Sequence, residues 1–85
     1  MQLASAVDVV ARCIVRKDRT VRTRTLGKFV HGVIAVLPEV GNSLVIYRRD
    51  THHRLVTSPA IRVLRDGESI YVETRNSIYH VVLSR

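Results

Sequence analysis

Most ingredients of specialised chemistry are scarce in this sequence. Cys13 is its one cysteine, so no internal disulfide can form and no second thiol completes a metal-binding pair. That usage fits a reducing compartment, and a cytoplasmic protein is expected. The opening Met1-Gln2-Leu3-Ala4-Ser5-Ala6 has neither the basic stretch nor the long apolar core of a signal peptide. No run approaches the roughly 18 apolar residues of a membrane helix, so no membrane partner is expected. Tryptophan is absent, and the rings are Phe29, Tyr47, Tyr71 and Tyr79. Core packing is the expected place of Phe29 and Tyr79, whereas Tyr71 shares a strand face with Glu73 and is expected at the surface. So few rings argue against a platform stacking several bases, and duplex or structured RNA then suits the chain better than an extended strand. With no low-complexity tract, internal repeat or Pro/Ser-rich linker, residues 1–85 read as a single domain. A domain this small favours a surface site over a deep enclosed pocket.

Catalytic constellations are equally thin. There is no Gly-rich phosphate loop, and the nearest approach to a nucleophile with its base is Ser77 and His80, three apart on an expected strand and so on opposite faces. Asp66, Glu68 and Glu73 fall in or beside one hairpin without a partner that would mark an acid/base pair. His52 and His53 are adjacent and point apart, and Cys13, His31 and His80 could meet only through tertiary folding. No catalytic residue, metal or cofactor is assigned.

What the chain does have is β-branched side chains, with fifteen valines, six isoleucines and six threonines. Such residues favour pleated strands. Ile61, Val63, Ile70 and Val72 alternate with polar neighbours on either side of Asp66-Gly67, a dipeptide suited to a tight hairpin turn. A second turn at Arg75-Asn76 precedes Ser77 to Leu83, which is apolar on both faces and reads as a strand buried on both sides. Leu44-Val45-Ile46-Tyr47 is a further strand, preceded by the turn-rich Pro38 to Asn42. Leu55-Val56-Thr57 begins another, which Ser58-Pro59 bends or interrupts, placing a sheet edge or a bulge near Pro59.

Two segments satisfy both periodicities. Leu26, Phe29, Val30, Val33, Ile34 and Leu37 match a helical face, yet Gly32 and the β-branched residues favour a strand. Residues 3–16 divide in the same way between Leu3, Val7, Val10 and Ile14 on a helix and Val7, Val9, Ala11, Cys13 and Val15 on a strand. The balance in both is strand. The fold class is mainly β: a small single-domain β-barrel or β-roll of five to seven short antiparallel strands, with one short helix in 3–16 or 26–37 left open.

Charge supplies the functional signal. Fourteen Lys and Arg face seven Asp and Glu, a net charge of +7 dominated by arginine, whose planar fork matches phosphate oxygens in pairs. Seven cations (Arg12, Arg16, Lys17, Arg19, Arg22, Arg24 and Lys28) fall within seventeen residues, opposed there by Asp18 alone. If Thr20 to Thr25 is a strand, Arg22 and Arg24 share one face and could track a phosphate backbone. Edge charges that discourage aggregation would explain the same run. A second group, Arg48, Arg49, His52, His53 and Arg54, forms a polar loop. The residues expected to bind nucleic acid are Arg16, Lys17, Arg19, Arg22, Arg24 and Arg49.

Leu55 to Val63, followed by Tyr71-Val72-Glu73-Thr74-Arg75-Asn76-Ser77-Ile78-Tyr79-His80-Val81, resembles a pattern of small phage- and plasmid-borne proteins. It reads loosely T-S-x-[IV], a hairpin, then T-x-N-S-x-Y-x-[VL], and covers about the last thirty residues. The resemblance implies a mobile-element origin and a β-hairpin module. Within it, Thr57, Ser58, Thr74, Asn76 and Ser77 can tie the turns together through side-chain to backbone hydrogen bonds. The leading expectation is a small β module that binds DNA or RNA through an Arg-rich face. A protein-interaction or anti-defence factor, anti-CRISPR-like and directed at an acidic protein surface, is the alternative, and a small basic ribonuclease toxin the third. An exposed edge near Pro59 would also permit a homodimer.

Overall fold

A computed structural model describes residues 2–16 and 28–84, with side chains from Ala6 onward. Six strands run in sequence: β1 (Gln2–Arg16), β2 (Phe29–Val36), β3 (Ser43–Arg48), β4 (Arg54–Asp66), β5 (Ser69–Thr74) and β6 (Ser77–Ser84). Each pairs antiparallel with the next, and β6 returns to pair with β1, closing a barrel. The ambiguous segment 3–16 therefore lies in strand β1, and β2 takes residues 29–36 of the segment 26–37. No described helix is long and apolar enough to cross a membrane.

Alternation explains the core. Val9 and Ala11 of β1, Ile34 of β2, Leu44 and Ile46 of β3, Ile70 and Val72 of β5, and Val81 and Leu83 of β6 each lie one strand period from the next inward residue on their strand. Ile34, Leu44, Ile46 and Ile70 are at most 2% exposed. Truncating any of them to alanine costs about 2–5 kcal/mol. Small residues complete the closure: Ala11 and Ala60 are buried, and Gly32 lets β2 approach the backbone of β3.

The turns follow their residues. Gly67 takes a φ of 61°, as the Asp66-Gly67 turn requires, and Asp66 pairs with Ser69 across it. Between β2 and β3, Asn42 N–H donates to the Glu39 carbonyl at 3.1 Å, with Gly41 at φ 94° in the position that type II turns reserve for positive φ. Of the polar residues of the C-terminal pattern, Thr74 holds a turn through backbone N–H groups, as expected, whereas Thr57 bonds to backbone inside the β3–β4 pair. Thr57 Oγ1 accepts from Leu44 N–H at 3.0 Å and donates to the Ser58 carbonyl at 2.8 Å. Thr74 Oγ1 accepts from Ser77 N–H at 3.1 Å, and Asn76 Nδ2 donates to Ser58 Oγ at 3.3 Å.

Of the sheet edge or bulge expected near Pro59, the register shows the bulge: β4 pairs with β3 as far as Pro59, beside a register shift, and with β5 from Ala60 onward. Two other expectations change. β6 is buried on its inward face alone: Ile78, His80 and Val82 stay half-exposed on the outside of the closed sheet. Phe29, expected in the core, is 60% exposed, because it opens β2 in the outward register opposite Arg12.

Candidate nucleic-acid interface

The register of β1 decides where its basic end points. Val9, Ala11 and Cys13 face inward, and strict alternation would put Val15 inward next. Between Cys13 and Val15 the pairing with β6 slips by one residue, so Cys13 lies opposite Tyr79, Val15 opposite Ile78 and Arg16 opposite Ser77. The bulge at Ile14 inverts the phase. Val15 turns out to 40% exposure, and Arg16 turns toward the barrel end on the same side as the fully buried Ser77.

Arg16 there enters a cleft of about 430 Å³ at the mouth of the barrel, with Arg12, Lys28 and Arg48 as the other cations. Phe29 and Tyr79 supply rings to its wall, and Ala11, Cys13, Val30 and Leu55 an apolar floor. None of these described lining residues is acidic. Among the described residues the buried Arg16 Nε has no hydrogen-bond partner, nor has the Oγ of Ser77. A buried donor left unsatisfied costs about 1–3 kcal/mol, so an oxygen-rich ligand reaching it would recover that loss. Arg48 lies opposite Gly32 at the end of β3 and leans on Asp50, its Nη2 at 3.3 Å from Oδ2. That hydrogen bond from Arg48 holds the exposed Asp50 carboxyl below its ordinary range.

A second feature begins at the cleft's rim and crosses the outside of the sheet. Phe29 on β2 is registered with Arg12 on β1, Arg12 with His80 on β6, and His80 with Tyr71 on β5. These four outward side chains form one row across four strands. The Arg12 guanidinium lies over the Phe29 ring at 5.3 Å, a cation–π contact. His80 and Tyr71 stack with centroids 4.6 Å apart and planes 5° from parallel. Ser69 Oγ fixes the imidazole, 3.0 Å from its Nε2. Beyond Tyr71 the row reaches Leu64, which is 61% exposed.

Of the six residues expected to contact phosphate, Arg16 lines the cleft. Arg49 does not: its guanidinium is hydrogen-bonded to the Asp8 carboxylate. Lys17, Arg19, Arg22 and Arg24 lie outside the described residues. Arg12 and Lys28, which belong to the same basic run, and Arg48, from the second basic group, join Arg16. Neither the Arg12–Phe29 contact nor the His80–Tyr71 stack was foreseen. The signal that would have found them is register: counted as strand partners, the four residues fall opposite one another. Cys13 is buried inside, whereas His31 and His80 face outward, so the three do not gather. Among the described residues no three His, Cys, Asp or Glu side chains form a metal-holding group. No protein-family model, curated protein or solved structure matches the chain.

Proposed function

We propose that this barrel binds nucleic acid, with Arg12, Arg16, Lys28 and Arg48 at its mouth as the phosphate-contacting cations. The observation that carries the reading is the buried, unpartnered Arg16 Nε in a cleft whose described lining holds four cations and no carboxylate. A net charge of +7 supplies the long-range attraction. Arginine suits the task because its donors meet phosphate oxygens two at a time. The eleven residues between Arg16 and Lys28 carry Lys17, Arg19, Arg22 and Arg24, and Arg16 and Lys28 line the cleft.

The test is affinity for short RNA and DNA as a function of salt. Four phosphate contacts give a slope of log K against log salt of about −2.8 on single strands and about −3.6 on duplex. Arg16→Met should reduce that slope by about one contact while leaving stability unchanged or raised by about 1 kcal/mol, since it removes an unsatisfied buried donor. Salt-insensitive or absent binding refutes the proposal. A complex with a host protein that survives nuclease treatment would favour a protein-interaction or anti-defence role.

A further inference from the structure

We infer that the nucleic acid is single-stranded, and that its bases lie along the row from Phe29 to Tyr71 while its phosphates reach the cleft beside it. This rests on the reading of the mouth as a phosphate site and specifies its ligand.

Scarce rings favoured duplex on sequence grounds, but the fold gathers Phe29, His80 and Tyr71, with the Arg12 guanidinium, into one line that a strand of bases can follow. Neighbouring strands are about 4.8 Å apart, so the three steps from β2 to β5 span roughly 14 Å, enough for about four nucleotides at 3.4 Å rise. The His80–Tyr71 separation of 4.6 Å nearly equals the strand spacing and the planes are parallel, so their stacking axis runs along the row. Their inner faces meet each other. The outer faces look toward Arg12, whose guanidinium leans away over Phe29, and toward the exposed Leu64, and a further planar ring adds where these side chains swing aside. Phe29 keeps 60% of its surface open and already carries a guanidinium against its ring. A paired duplex keeps base faces inside its own stack and gains nothing from such a row, whereas unpaired bases stack on aromatic and guanidinium planes. Arg12 belongs to both features, lining the cleft and standing second in the row, so a strand lying on the rings passes directly beside the cations.

The experiment is fluorescence anisotropy with a labelled 12-nucleotide single strand of mixed sequence, as RNA and as DNA, and the matching duplex. Binding to either single strand at least tenfold tighter than to the duplex is expected. Phe29→Leu and Tyr71→Leu should each weaken single-strand binding by about 5- to 100-fold with the salt slope unchanged, because they remove stacking and no charge. Arg16→Met should instead weaken single strand and duplex alike. Should Tyr71→Leu fail to fold, ultraviolet cross-linking of the wild-type complex decides, with adducts expected at Phe29, Tyr71 or His80. Equal affinity for duplex, ring variants within twofold of wild type, or cross-links confined to other strands would overturn the inference while a persisting Arg16 salt effect left the phosphate site standing. No binding to any of the three probes would overturn both.

Discussion

Replacing Gly32 by alanine tests whether the β2–β3 seam is as tight as the structure requires. A Cβ at this position would lie 2.4 Å from the Tyr47 carbonyl oxygen and 2.8 Å from Ile46 Cγ2. Carbon–oxygen contacts settle no closer than about 3.3 Å, so the strands would have to part by about 0.9 Å. The obstructing oxygen is backbone and cannot rotate away. Overpacking of this kind costs about 1–3 kcal/mol, and each stretched ladder hydrogen bond adds about 1 kcal/mol. The seam has little to spare, because its registered pairs are Gly32 with Arg48 and Val33 with Tyr47. A total loss of about 2–4 kcal/mol is expected, a large share of the roughly 4–13 kcal/mol available to 85 residues. At about 2.1 cal/mol/K per residue, that corresponds to a Tm lowered by roughly 10–20 °C. Urea unfolding followed by circular dichroism measures it: the midpoint falls and the slope stays constant. Arg48 stands opposite Gly32, so the widened seam also carries this cation away from the cleft, and polyanion affinity of the folded variant should drop a few-fold. Stability within about 0.5 kcal/mol of wild type would refute the close approach and the argument built on it.

Thr57→Val removes the acceptor of the Leu44 N–H inside the barrel and should cost about 1–3 kcal/mol in the same urea assay, whereas a neutral result would mean that this amide finds another partner. Asp50→Asn should tighten polyanion binding a few-fold in anisotropy by freeing Arg48. Because the Asp50 carboxyl sits below its ordinary range, its pairing with Arg48 is present at neutral pH and is lost as pH falls through the lowered value, so wild type should approach the variant's affinity only in acid. His52 holds a φ of 59° in the exposed turn before β4, and His52→Gly should raise stability by about 1 kcal/mol, measurable as an increase of several degrees in Tm.

The β-rich meander was legible because its signals are local. Asp66-Gly67 announces its hairpin through the backbone freedom of glycine, and the valine-rich alternation of β5 and β6 declares an inward face regardless of what lies opposite. Residues 3–16 and 26–37 were harder, since helical and strand spacing both fit them. What decides is closure: β1 finds partners on both sides, β2 and β6, an arrangement that a helix there would leave unmade. The polar residues of the C-terminal pattern were readable too, because Thr, Ser and Asn bond to nearby backbone wherever a turn brings it within reach.

The site was less legible because it is created where alternation fails. In β4 the inward residues run Leu55, Thr57, Ala60 and Val63, a spacing no single period produces, because one register shift near Pro59 and another at Ile61 each invert the phase. Those inversions let one long strand bend from β3 to β5 and leave Leu64 outward beside Tyr71. The bulge at Ile14 does the same for Arg16. Unbulged, β1 would bury Val15 and hold Arg16 out in water, where a guanidinium gains little from a phosphate; inverted, it places Arg16 beside apolar walls, where a charge-assisted hydrogen bond is stronger. Deleting Ile14 should therefore straighten β1 while leaving Val15 opposite Ile78 and Arg16 opposite Ser77, so the folded variant should keep Arg16 at the cleft and bind polyanions within a few-fold of wild type, unlike Arg16→Met. If the deletion folds but binds as weakly as Arg16→Met, the register opposite Ser77 is not what holds Arg16 at the cleft.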